Sequence, residues 1–176
     1  VPPNEQFDVV IIADFDRGVV TADLLRGLAR RVPAPERVVI DAGTDWHRYS
    51  AFDDLVIVSR RDQLISDTER SALPEESAAI ANALERHLNI RALIVKDVGS
   101  SSATLAARIA GNPARGTLQT VQGVSVVATP LGGGAVFSAF LGLALASGRE
   151  IEDAALVGQS AACAYSRKAI GDFPSL

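Results

Sequence analysis

The densest chemical signal in the chain is Thr129-Pro130-Leu131-Gly132-Gly133-Gly134-Ala135-Val136-Phe137. Three glycines between an extended segment and an apolar helical pattern allow backbone N–H groups to come close to a ligand. The positive end of the following helix attracts an anion, so Gly132, Gly133 and Gly134 form a candidate phosphate cradle. A plain strand-to-helix turn has the same composition, and position in the fold decides between the two. Elsewhere Asp14, Asp41, Ser59 and Lys96 each terminate an apolar run. Carboxylates at Asp14 and Asp41 suit sugar hydroxyls or a cation, while Lys96, Arg60 and Arg61 suit phosphate oxygens. Asp16 and Asp45 could extend a carboxylate cluster, although helix capping and solvation explain them more simply. For Arg60 and Arg61 a solvated loop is the competing explanation.

Other reactive residue types carry less. His47 and His87 are isolated, and a helix C-terminus is sufficient company for His87. His47 beside Trp46 and Asp45 fits an exposed loop. Cys163 lies in an alanine-rich helical stretch and suits a small core residue better than a nucleophile. Ser100, Ser101 and Ser102 have no evident His and Asp partners, which argues against a serine hydrolase.

These residues must be held by a scaffold, and the apolar runs define it. Asp8–Ala13, Arg37–Ile40, Leu55–Val58 and Ala92–Val95 are short and β-branched, as suits strands covered on both faces in a parallel sheet. Helical patterns alternate with them. Thr21 is placed to cap a helix through Leu24, Leu25 and Leu28 that Pro33 stops. Pro74, Glu75 and Glu76 open a second, with Ile80, Ala83, Leu84 and Leu88 on one face. Thr104–Ile109 and Thr117–Thr129 read as extended segments around the turn Gly111-Asn112-Pro113. A helix then runs from the glycines through Phe137, Phe140, Leu141 and Leu145, with Gly148 at its end. The last helix starts near Ile151, where Glu150, Glu152 and Asp153 favour its positive pole. The expected architecture is an α/β fold, a three-layer α/β/α sandwich around a mostly parallel sheet. Ligands of such sheets bind beyond the carboxyl ends of the strands, so Asp14, Asp41, Ser59 and Lys96 are expected to share one edge.

At 176 residues, 48% hydrophobic and 22% charged, the chain is long enough for one core and too apolar for disorder. A net charge of -4 without a basic stripe excludes a nucleic-acid module. One cysteine excludes a disulfide framework and a cysteine zinc cluster. No uninterrupted apolar run of about 18 residues is present, and no secretory leader is recognisable. A reduced, cytoplasmic protein without membrane contact is expected. The chain begins at Val1 and holds no methionine, which is expected of a piece of something longer.

The segment Gly132–Gly158 (GGGAVFSAFLGLALASGREIEDAALVG) resembles the C-terminal signature of PfkB/ribokinase-type carbohydrate kinases. There a Gly-Ala-Gly-Asp loop opens a helix ending in Ala-x-Gly, and an acidic, alanine-rich helix follows. Other stretches are similar in the same order. Asp14-Phe15-Asp16-Arg17-Gly18-Val19-Val20-Thr21 resembles the Asp-Tyr-x-Lys-Gly-Val-Leu-Thr segment of the heptose-phosphate kinase branch. Val39-Ile40-Asp41-Ala42-Gly43 resembles that branch's Val-Asp-Pro-Lys strand end, and Trp46-His47-Arg48-Tyr49 its Trp/Phe-x-x-Tyr. Lys168-Ala169-Ile170-Gly171 matches its closing Lys-x-Gly. The resemblance covers nearly the whole chain, residues 1–176 as a single ribokinase-like domain, but only the nucleotide-side, C-terminal half of a full family member.

That resemblance implies ATP and Mg²⁺ as cofactors, a nucleotide and a sugar phosphate as ligands, a missing N-terminal half on the same or another chain, and a homo-oligomer. It implies Gly132, Gly133, Gly134, Lys96, Gly99 and Arg60 on the nucleotide side, and Asp14 and Asp41 on the substrate side. It also exposes three departures. The family's catalytic aspartate, which takes the proton from the attacking sugar hydroxyl, falls on Ala135. A methyl group accepts no proton, and loss of a general base lowers rates by about 10²–10⁴-fold. The Asn-x-x-Glu motif that organises magnesium falls on Arg60-Arg61-Asp62-Gln63, with Arg60 and Gln63 at its key places. The Thr-x-Gly-x-x-Gly loop falls on Lys96-Asp97-Val98-Gly99-Ser100-Ser101-Ser102, which retains one glycine. The expectation is a pseudokinase that binds nucleotide or sugar phosphate with impaired or lost phosphotransfer. The alternatives are an active ATP-dependent sugar kinase with a displaced base, and a structural dimerisation domain.

Overall fold

The computed structural model describes residues 7–31, 38–43, 45–52, 55–60, 90–96, 102–108, 116–122 and 132–171. Six strands form one sheet in sequential order. They are β1 (Val10–Ala13), β2 (Val38–Asp41), β3 (Leu55–Arg60), β4 (Ile90–Lys96), β5 (Ser102–Arg108) and β6 (Gly116–Gln122). The first four run parallel, and β5 and β6 continue the sheet antiparallel. Three of the four apolar runs expected to be covered on both faces are so: Val38, Val39, Ile40, Leu55, Val56, Ile57, Val58, Leu93 and Ile94 are fully buried. The fourth, Asp8–Ala13, forms the outer strand β1, in which Ile12 is buried and Ile11 is half-exposed.

Burial on both faces is explained by what lies on each. On one face Val39, Val56, Val58, Ala92 and Ile94 pack against α2 (Gly133–Ala146) and α3 (Ile151–Gly171), through Phe137, Leu141, Ala144, Ile151 and Ala154. On the other, Val38, Ile40, Leu55, Ile57, Leu93 and Val95 pack against Leu25 of α1 (Ala22–Ala29), Tyr49 and Phe52. Alternate residues of β2, β3 and β4 thus feed separate cores, giving the three layers expected from the continuous apolar runs.

Local chemistry sets the helix ends. Thr21 accepts a hydrogen bond from the Leu24 N–H at 3.2 Å and caps α1. Only Leu25 of α1 is buried, and Leu24 beside it is 52% exposed. Gly148, at φ +78, follows the last turn of α2 in the left-handed conformation that ends helices. The α2–α3 contact is unusually close. A Cβ on Gly158 would lie 2.9 Å from the Phe137 carbonyl oxygen and 3.3 Å from its ring. The expected helix over Pro74–Leu88 and the turn at Gly111–Pro113 lie outside the described residues. No helix among the described residues is long and apolar enough to cross a membrane.

Candidate functional site

Register brings the strand ends together. Ala13 pairs with Asp41, Asp41 with Val58, and Arg60 with Lys96, so Asp14, Asp41, Ser59 and Lys96 do share one edge of the sheet. They divide between its two faces. Asp41 and Lys96 are in phase with Val39 and Ile94 and point toward α2. Asp14 and Ser59 are one residue out of phase and point toward α1. A common carboxylate cluster of Asp14 and Asp41, open in the sequence, is therefore not formed. The two-residue period of a strand places neighbours at one edge on opposite sides.

The α1 side is a closed network. Asp14 is 4% exposed. Its Oδ2 accepts from the Tyr49 hydroxyl at 2.8 Å and from Arg48 Nη1 at 3.0 Å, and its Oδ1 accepts from the Asp16 N–H at 2.9 Å. Arg48 also donates Nη2 to Asp16 Oδ1 at 3.1 Å and Nε to the Asp45 carbonyl at 3.0 Å. The Tyr49 hydroxyl in turn accepts from the Gly43 N–H at 3.0 Å. Burial, reinforced by the Asp14 carboxylate, pushes the Tyr49 phenol well above its ordinary value. The Asp14–Thr21 and Trp46–Tyr49 segments thus meet in space, and their charges answer one another. Asp45 and His47 are exposed, as a surface loop requires. The Ser59 hydroxyl is buried with no partner among the described residues.

The α2 side is where a ligand could be held. Gly132, at φ +99, turns the chain into α2, whose first bond runs from the Val136 N–H to the Gly132 carbonyl at 3.0 Å. Gly132 stands at the cap position and has no side chain with which to cap this end. The N–H groups of the first turn, from Gly133 to Ala135, therefore precede any intrahelical bonding and carry the helix's positive pole. Lys96 reaches the same place from β4. Its Nζ would lie 3.3 Å from a Cβ on Gly134, and 5.6 Å separates it from the centroid of the Phe137 ring. The reach is diagonal, across one intervening strand, and ends on Asp41: Nζ is 3.3 Å from both carboxylate oxygens. Ser138 donates its Oγ to Asp41 Oδ2 at 3.0 Å. The side chains of Lys96 and Asp41 retain 15% and 17% exposure. Ala135, the next residue of α2 after Gly134, is exposed.

Two members of this site were not singled out by sequence reasoning. Ser138 stands four residues after Gly134, one turn along the same helix face, and is a hydroxyl in an otherwise apolar helix. That spacing is a usable signal. Tyr165 of α3 brings its hydroxyl to 3.1 Å from where a Cβ on Gly132 would be, and nothing local in the sequence indicates it. Gly99 lies outside the described residues, and so do Thr129–Leu131, Arg61, Asp62 and Gln63; Arg60 ends β3, and nothing of its side chain is described. Cys163 is half-buried on α3, with Gln159 Nε2 at 3.7 Å from its sulfur.

No family profile and no curated protein matches the sequence. Solved structures do match the fold. A pyridoxal kinase of Bacillus subtilis in an ADP complex superposes with a TM-score of 0.63 at 17% identity, over 96% of this chain and 66% of that one. A mutant of phosphofructokinase-2 from Escherichia coli gives 0.66 at 16% identity, over 92% and 52%. Ribokinase of Arabidopsis thaliana, complexed with ribose and ATP, gives 0.58 at 19% identity, over 88% and 48%. The chain spans between about half and two-thirds of the length of these kinases. At such identities the likeness concerns architecture, and the chain has the ribokinase-like α/β fold.

Proposed function

We propose that the chain is a kinase-like domain, one ribokinase-like unit over residues 1–176, that binds a nucleotide or sugar phosphate at the start of α2 with phosphotransfer impaired or lost. The observation that carries this reading is the meeting of Lys96 with the uncapped first turn of α2 beside Gly134. A cation and the N–H groups that precede the first intrahelical bond of α2 converge there, the pairing that attracts an anion. The impairment is argued from Ala135. It occupies the exposed first turn where the resembled kinases carry their proton acceptor, and its methyl group can bind no proton. The positioning half of phosphoryl transfer, cradle and cation, is supported by residues of this chain; the acceptor half is not.

The test uses calorimetric titration of the 176-residue chain with ATP, ADP and phosphorylated sugars, followed by a phosphotransfer assay. Saturable binding without turnover is expected. Gly134→Glu, which directs a carboxylate at Lys96 and the helix pole, is expected to abolish binding while leaving the melting transition cooperative. Turnover in the wild type that Gly134→Glu removes would establish an active kinase. Absence of binding to every phosphate tested would leave a structural, dimerising role.

A further inference from the structure

Mg²⁺ demands six oxygen ligands in near-octahedral array at about 2.0–2.1 Å, and it is usually held by one or two carboxylates with waters and substrate phosphates. The resemblance to ribokinase-type kinases implies such an ion beside the phosphates. The residues on the α2 side do not fit it. Asp41 is the carboxylate that β2 delivers to this face, and both its oxygens are 3.3 Å from the Lys96 ammonium. Its Oδ2 also accepts from Ser138. Both oxygens therefore already accept from a donor, and one of those donors is a cation, which repels a second positive charge at the same carboxylate. Arg60 replaces a metal-organising asparagine at the end of β3. Among the described residues no group of three or more His, Cys, Asp or Glu side chains is arranged to hold a metal ion.

The place of the ion is not left without charge. Lys96 Nζ stands against Gly134, at the mouth of the glycine turn, with the Phe137 ring beneath it. We propose that the Lys96 ammonium, positioned by Asp41 and Ser138, takes the part of the divalent cation, so that this site binds phosphate-bearing ligands independently of Mg²⁺. The inference rests on the start of α2 being the phosphate site. An ammonium is a compact point charge on a flexible stem, suited to following a phosphate oxygen that competes with Asp41 for it. A magnesium ion already bound to the phosphates would meet Lys96 as a like charge and would neutralise the oxygens that the ammonium attracts.

The experiment titrates the 176-residue chain with ATP and with inorganic tripolyphosphate, once in excess EDTA and once in excess Mg²⁺, by calorimetry. The expected result is binding in EDTA at least as tight as in Mg²⁺. Lys96→Ala should weaken the EDTA isotherm by about tenfold or more, the worth of a charge-assisted hydrogen bond, and Lys96→Arg should retain most of it. The comparison of the two wild-type isotherms requires no variant and stands even if Lys96→Ala folds poorly. Binding that appears only with Mg²⁺ overturns the inference and leaves the phosphate-site reading intact. Binding in neither condition overturns that reading, and the inference with it.

Discussion

Tyr49 carries the clearest ionisation consequence of any single residue. Its phenol is buried, donates to Asp14 and is pushed well above its ordinary value. The folded state therefore holds the proton more tightly than the unfolded chain. The stability this contributes is fully present below about pH 10, the unfolded value, and is lost as pH rises toward the folded one. Denaturant midpoints measured at pH 8 and pH 10.5 should fall for the wild type. Tyr49→Phe should fall less between the same two values, and equal slopes would show that Tyr49 does not control the decline. Ala135 allows a second residue-scale prediction. If the absent proton acceptor were the sole defect, Ala135→Asp would recover about 10²–10⁴-fold in phosphotransfer. On the proposed reading, in which Lys96 paired to Asp41 stands in for the metal, Ala135→Asp alone is expected to give no measurable turnover. A radiolabelled ATP assay decides, and a gain would mean that only the acceptor is missing.

At the scale of elements, the site depends on how closely α3 holds α2. Gly158 has the Phe137 backbone and ring against it, so any side chain there must push the helices apart. Gly158→Val is expected to destabilise by about 1–3 kcal/mol, as overpacking does, and to lower the melting temperature. Because Phe137 lies under Lys96, affinity at the proposed phosphate site should fall as well; an unchanged melting temperature would mean that the two helices are not in fixed contact. The same elements show what a sequence can disclose. β2, β3 and β4 were legible because runs such as Val38-Val39-Ile40 and Leu55-Val56-Ile57-Val58 admit no polar face. The Thr21 cap and the Gly148 terminus were legible because both are one-residue rules of backbone chemistry. The glycine turn and Lys96 could be named separately, and the strand-end rule placed them at one edge. What was not legible is phase. Pairing Ala13 with Asp41 is a fact of register, and it alone divides Asp14 from Asp41. Contacts such as Tyr165 against Gly132 depend on where two helices cross, which no local pattern encodes.

At the scale of the whole molecule, β1 is an outer strand of the sheet. Ile11 is 38% exposed on it, and α2, which packs on β1 through Gly142, exposes Phe140 and Leu143 at 44% and 58%. An outer strand presents unpaired N–H and C=O groups, and apolar side chains beside it make a template for another chain. The solved kinases that share the fold are longer than this chain. For the 176-residue chain alone, a second copy is the available cover, through the same patch on each. Sedimentation velocity across a concentration series should show a monomer–dimer equilibrium. Phe140→Lys combined with Leu143→Lys adds charge to exposed positions outside the core and should shift that equilibrium to monomer, with the melting transition little changed at low concentration. Such a shift also separates association from binding at the proposed site, because Lys96 and Asp41 lie at strand ends and Gly134 in the first turn of α2, away from both lysines. A monomer at every concentration, or a dimer indifferent to both lysines, would show that β1 and α2 are not the associating surface.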